Sequence, residues 1–265
     1  MIAFPNVDPV AFQIGFFKLH WYGIAYVVGI GLGWYYLELR SRERRPEWGA
    51  VNVSDIVFYV ALGAVAGGRL GYILFYNLSI YYAEPLNIFA VWKGGMSFHG
   101  GVLGVTFIVF WQARKLGVGV LTLSDFILPA LPIGLGLGRL ANFINQELWG
   151  TPTDVPWGVV FTNPGSGGLS RHPTQLYEAV LEGLVLFIIL HFMSKNARVK
   201  GEITGWFFLL YGCFRGFVEF LREPDIHIGH LYANWLTMGQ LLSIPMVAVG
   251  VIIIIVCHNR KRSIP

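Results

Sequence analysis

Charge is scarce in this 265-residue sequence: Asp, Glu, Lys and Arg make up 13% of it, against 55% hydrophobic residues and a mean hydropathy of +0.58. A soluble domain of this length could not hide so much apolar surface, so that class is excluded. Cysteine is scarcer still. Cys213 and Cys257 fall in different apolar stretches without metal-type spacing, which leaves neither a disulfide framework nor a zinc site. No internal repeat and no low-complexity tract is present, and no polar stretch is long enough for a separate soluble domain. Asp8, Pro9 and Lys18 interrupt the first apolar stretch and no small-residue cleavage site follows a basic start, so a removable signal peptide is not expected.

What is present is a succession of apolar stretches near the ~20 residues that a bilayer span requires. They read as seven helices at residues 19–39, 54–77, 95–113, 122–144, 175–193, 201–221 and 237–257, in one membrane domain over residues 1–265. The net charge of +4 and pI near 9.1 reflect short basic clusters between spans, a topology signal and not a nucleic-acid footprint. The connections after spans one, three, five and seven hold twelve basic residues, Arg44, Arg45 and Arg198 among them. The opposite side holds four: Lys18, Lys93, Arg171 and Arg222. The positive-inside rule then puts the N-terminus outside and the C-terminus in the cytoplasm. Two features depart from a plain bundle. The third apolar region carries Gly-Gly pairs around Met96 to His99 and is expected to be a broken helix lining a cavity. Residues 145–173, rich in Pro, Gly, Thr and Asn, are expected to form a small cap outside the membrane.

Three arginines lie in or at the edge of apolar helices: Arg69, Arg139 and Arg215. Each costs about 2.5 to 3.5 kcal/mol at a helix centre, so each should face the interior and a partner. Arg215 and Glu219 are four residues apart, with Arg222 one turn further; this is either a structural ion pair or part of a site. Arg139, Asn142 and Gln146 recur at i, i+3 and i+7 with Glu147 close by, which reads as the wall of a wet cavity or as polar helix glue. Guanidinium forks from two helices facing one cavity suit a phosphate. His99 is a candidate proton acceptor or a packing residue. Ser97 nearby lacks the second motif a Ser/His hydrolase needs. His172 and His20 are rim candidates or interfacial residues.

Taken together, these residues resemble the bacterial prolipoprotein diacylglyceryl transferases. The segment GRLANFINQELWG, Gly138 to Gly150, matches that family's signature at Gly138, Arg139, Asn142, Phe143, Asn145, Glu147 and Gly150. It is accompanied in order by HWYG at 20–23, GGRLGYILFYN at 67–77, WKGGMSFHGG at 92–101, RHPTQLYE at 171–178 and YGCFRGFVEFLREPD at 211–225. The resemblance implies an all-α membrane protein of seven transmembrane helices in the bacterial inner membrane. Its N-terminus and small cap would be periplasmic, its C-terminus cytoplasmic, and its active site towards the periplasmic side. It implies transfer of the diacylglyceryl group of phosphatidylglycerol to the lipobox cysteine thiol of a prolipoprotein, forming a thioether and releasing glycerol phosphate. It further implies His99, Arg139 and Arg215 as catalytic residues. It would place Tyr22, Asn142, Glu147, Gly150 and Glu219 with Arg139 in substrate binding, to which the Arg215–Glu219 stripe adds Arg222 as a candidate. No cofactor, metal or nucleic acid is implied, and the partners are the two substrates and membrane lipid.

The nucleophile would then belong to the substrate, so neither cysteine of this chain needs to reach the cavity. A thiol with a pKa of about 8.5 needs a base such as His99, or nearby guanidinium charge, to become a thiolate. Two other classes compete. A transporter should show two corresponding interrupted spans, and only one region is interrupted here. An intramembrane protease would need a Ser/His dyad or paired aspartates, whereas Asp55 and Asp125 read as N-caps at cytoplasmic helix starts. Arg69 and Glu182 are left to structural pairing.

Overall fold

The computed structural model describes residues 1–5, 7–15, 17–43, 52–90, 94–197, 199–224, 229, 231 and 236–262. Arg44, Arg45, Lys93 and Arg198 of the charge count, and Trp92 and Asp225 of the motifs, lie outside them. Three short strands, β1 (Ile2–Ala3), β2 (Val10–Ile14) and β3 (Phe17–His20), precede α1 (Trp21–Glu43). Then come α2 (Val53–Tyr76), α3 (Leu78–Ala83), a 3-10 turn at Pro85–Phe89, α4 (Phe98–Lys115) and α5 (Val120–Ile127). A 3-10 turn at Leu128–Ala130 joins α5 to α6 (Leu131–Ile144), and strands β4 (Val159–Val160) and β5 (Ser170–Arg171) follow. Helix α7 (Thr174–Glu178) runs through a π-helical stretch, Ala179–Val185, into α8 (Leu186–Asn196); α9 (Glu202–Glu219) and α10 (Met238–Arg262) complete the chain. Each of the seven stretches read from sequence thus holds a helix. Among the described residues, four helices are long and apolar enough to cross a membrane: Val53–Tyr76, Val120–Ile144, Thr174–Asn196 and Met238–Asn259. They leave large apolar side chains such as Leu74, Leu184 and Ile252 exposed, as a lipid-facing surface would.

The chain divides into two compact units, residues 34–124 and residues 1–33 with 125–265. In the smaller unit α2 packs along α4. Gly63, Gly67 and Gly71, spaced one helical turn apart, meet Gly100 and Gly104, and a Cβ on Gly67 would run into the Gly100 carbonyl. Without a hydrophobic drive between helices in lipid, such small-residue seams let backbones approach and gain dispersion contacts. The break expected in the third apolar region is found at its first Gly-Gly pair and not at its second. Gly94 and Gly95 take positive φ ahead of α4, Ser97 caps it by accepting from the Gly100 N–H at 3.2 Å, and the second Gly-Gly pair sits inside an uninterrupted helix.

The irregular backbone before α4 is satisfied by Arg69. Its buried guanidinium donates to the carbonyls of Asn87 (2.5 Å), Ile88 (3.0 Å), Ala90 (3.1 Å), Gly94 (2.5 Å) and Gly95 (3.0 Å), and lies over the Tyr81 ring. Five fixed donors in one planar fork can do this; an ammonium has three. Arg69→Lys is therefore expected to lower stability by about 2 kcal/mol, on the scale of buried groups left without partners. Thermal unfolding in detergent measures it, and a melting temperature equal to wild type would show that the loop holds without the fork.

In the larger unit α9 packs on α10 by close approach of Gly205 and Gly250, and α6 meets the π-helical stretch where Gly136 faces Gly183. Leu186, Leu190, Ile203 and Phe207 form a buried cluster between α8 and α9. Asp125 corrects another expectation. It lies within α5 and caps α9 instead of its own helix, accepting from the N–H groups of Gly201 (2.6 Å) and Thr204 (2.7 Å) and from the Thr204 hydroxyl (2.6 Å). Asp55 stands in the first turn of α2, whose cap is Asn52. Residues 145–173 are ordered: β1 pairs parallel with β4, β4 pairs antiparallel with β5, and Phe4, Val159 and Phe161 make a small core with Phe143 and Trp149.

Candidate functional site

The site is built on buried carboxylates. Glu178 and Glu182 lie in one apolar helical stretch, both fully buried, and four residues apart. The π-helical turn that starts at Ala179 widens the helix to more than four residues per turn, which keeps positions i and i+4 nearly in register. Both carboxylates consequently reach Arg139 on α6: its Nε is 3.2 Å from Glu178 Oε2 and its Nη2 is 3.4 Å from Glu182 Oε2. The other oxygen of Glu178 pairs with Arg215 Nη1 on α9 and lies 3.8 Å from Arg222 Nη1. Arg215 Nη2 is 2.7 Å from Glu219 Oε2, the i, i+4 pair read from sequence. One carboxylate therefore touches three guanidinium groups.

Depth separates the two signs. The Glu178 and Glu182 side chains have no exposure and Glu219 has 7%, whereas Arg139 and Arg215 keep 17% and 14%. An anion approaching this cluster meets guanidinium first, with carboxylates behind that hold each fork in orientation. Such a preorganised pair of planar donors fits a phosphate.

Around it stand most of the other candidates. Asn142 is buried and donates to Glu147 Oε1 at 2.7 Å, while the Glu147 carbonyl accepts from Gln175 at 2.6 Å. Tyr22, half-buried in the first turn of α1, packs its ring on Tyr26. Arg222 lies beyond the end of α9, so it does not continue that helix's stripe; an antiparallel bridge to Gly150 places it. Gln146 is corrected. It sits past the end of α6 with φ of 51° and turns into the segment 145–173, where its Oε1 accepts from the N–H groups of Thr162 (2.7 Å) and Asn163 (2.9 Å). The i+7 spacing failed because the helix stops at Ile144. His99 stands exposed in the first turn of α4, in the unit of residues 34–124 that contains none of the other site residues. His20 is exposed at the end of β3; His172 contacts the Tyr177 hydroxyl at 3.2 Å, and desolvation lowers its pKa below the ordinary histidine value.

Gly150 is placed by backbone proximity. A Cβ there would lie 2.5 Å from the Leu221 carbonyl oxygen and 2.6 Å from His172 Cβ. Its N–H donates to the His172 carbonyl and its own carbonyl accepts from Arg171. Gly150→Ala is expected to pry the segment 145–173 from the end of α9, read as faster limited proteolysis within those residues; an unchanged digestion pattern would mean that the contact yields without cost.

Glu178 went unassigned in the sequence although it ends the RHPTQLYE motif, and Glu182 was left to structural pairing. The available signal was their i, i+4 spacing in an apolar stretch, since two carboxylates on one face of a span require cations opposite.

The family model for prolipoprotein diacylglyceryl transferase matches residues 9–256. The chain is 50% identical over 265 residues to a protein of Pseudomonas paraeruginosa named phosphatidylglycerol–prolipoprotein diacylglyceryl transferase, covering 100% of this chain and 99% of that one. Proteins of the same name from Pseudomonas syringae pv. syringae and Pseudomonas fluorescens are each 48% identical, over 266 and 268 residues. The coverage is 99% and 100% of this chain, and 98% of each relative.

Proposed function

Since this chain belongs to the prolipoprotein diacylglyceryl transferase family, we propose that it transfers the diacylglyceryl group of phosphatidylglycerol to the lipobox cysteine thiol of a prolipoprotein. The observation that carries the mechanism is the pair of forks, Arg139 and Arg215, held by Glu178 and more accessible than it. The substrate's thiolate attacks the terminal glyceryl carbon, the bond from that carbon to the phosphate oxygen breaks, and glycerol phosphate leaves with the electron pair while a thioether forms. No redox change occurs. Charge grows on the departing phosphate, and fixed guanidinium donors out of water stabilise it without reorganising. Arg222, Asn142 and Glu147 border the same cluster and serve substrate binding, with Tyr22, Gly150 and Glu219 around them. His99 accepts the thiol proton in this scheme, either alone or aided by guanidinium charge that favours the thiolate.

The seven helical stretches act as seven spans of one inner-membrane enzyme domain, N-terminus in the periplasm and C-terminus in the cytoplasm. The segment 145–173 is a periplasmic cap over the precursor. The basic residues between spans support this orientation, and the site then opens where a translocated lipobox arrives.

The test is transfer of radiolabelled diacylglyceryl from phosphatidylglycerol to a lipobox peptide by purified protein. Label appearing on the peptide only when its cysteine is present is the expected outcome. A folded wild type that gives no product with both substrates would remove this reading.

A further inference from the structure

Glu219 ends α9 almost fully buried, and its carboxylate is held by a device on another helix. The Thr237 hydroxyl donates to Glu219 Oε1 at 2.9 Å. Thr237 is also the first half of a capping box on α10: the Gln240 N–H donates to its hydroxyl oxygen at 3.3 Å, and its own N–H donates to Gln240 Oε1 at 3.1 Å. That hydroxyl is therefore used twice, once as acceptor for the helix and once as donor to the carboxylate. Only a hydroxyl does both from one atom. Two turns of geometry add to it. The carboxylate of Glu219 occupies the space that a side chain at Gly239 would fill, so any residue larger than glycine would expel it. It also lies against the first turn of a 25-residue helix, where the helix dipole favours an anion.

We propose that Thr237, with Gly239 and Gln240, is a positioning element that fixes Glu219 and through it aims the Arg215 guanidinium. Arg215 is strung between Glu178 and Glu219, so displacing one carboxylate lets the fork rotate. Resting on the reading of Arg215 as a ligand of the lipid phosphate, this assigns to Thr237 an effect on phosphatidylglycerol and none on the peptide.

Three substitutions at one position test it. Thr237→Ser keeps both uses of the hydroxyl, Thr237→Val removes both, and Thr237→Asp keeps a good N-cap but has no proton for Glu219 and sets a like charge beside it. The expected result is a KM for phosphatidylglycerol raised about tenfold in Thr237→Val and Thr237→Asp, with KM for the lipobox peptide unchanged and Thr237→Ser within about twofold of wild type. If capping were the whole role, Thr237→Asp would match wild type while Thr237→Val alone was impaired, and that ranking overturns the proposal. So does a folded Thr237→Ser as impaired as Thr237→Val. Wild type without transfer would remove the functional reading only. The contact is then decided by a double-mutant cycle of Thr237→Val with Glu219→Gln on thermal unfolding, where non-additive shifts support the positioning element and additive ones refute it.

Discussion

Arg139→Ala is expected to reduce diacylglyceryl transfer by about a thousandfold, the scale set by removing a preorganised donor from a site where charge develops. Arg139 is the fork bound to both fully buried carboxylates, 3.2 Å from Glu178 and 3.4 Å from Glu182, and it is the more exposed of the two forks. Its loss removes a phosphate ligand and at the same time leaves Glu182 without its ion-pair partner, so the rate must be read beside a folding control. Arg139→Lys supplies that control. It keeps one positive charge near the carboxylates but cannot bridge two of them and present a planar edge to a phosphate. The expected pattern is a lysine variant that melts near wild type yet remains impaired at least a hundredfold. Initial rates against phosphatidylglycerol in mixed micelles, with circular dichroism on each variant, check it. A folded Arg139→Lys protein within threefold of wild type would show that a point charge suffices and that the fork geometry is irrelevant.

Glu178→Ala is expected to produce the largest loss of stability, roughly 3 to 5 kcal/mol, because it removes the central carboxylate of a buried ionic cluster and leaves three guanidinium groups against two carboxylates. The carboxylate lies among Arg139, Arg215 and Arg222, and without it the three cations share only Glu182 and Glu219 of the cluster's carboxylates in a low-dielectric interior. Glu178→Gln tests the charge separately from the volume: it fills the space and should lose less. Arg222→Ala, whose Nη1 stands at 3.8 Å, should cost less than either. Melting temperatures in one detergent rank the three. If Glu178→Ala melted with wild type, the arginines would be held by other contacts, and the clamp assigned to Glu178 would fall.

The same cluster shows how far the chain could be read unaided. Arg215 and Glu219 were legible because i, i+4 neighbours share a helix face whatever surrounds them. Arg139 and Asn142 were legible as polar positions in an apolar stretch, where burial demands a partner. The partner shared by Arg139 and Arg215 was not. Glu178 lies 39 positions from Arg139 and 37 from Arg215, and no local period connects residues on three helices. Gln146 misled for the opposite reason: the period continued on paper after the helix had ended. Arg69 read as an arginine in want of an unnamed structural partner, and the structure gives it five backbone carbonyls.

Composition and period alone therefore determined the helical, lipid-suited character of the chain and the places of its long apolar helices, though not of the short α3. Apolar length and spacing are local properties and are enforced residue by residue. The tertiary structure decided which carboxylate joins the arginines, which helix Asp125 caps, and that the glycines before α4 form a clamped turn. Each is a contact between segments distant in sequence, chosen by the requirement that every buried charge and backbone group find a partner somewhere in the fold.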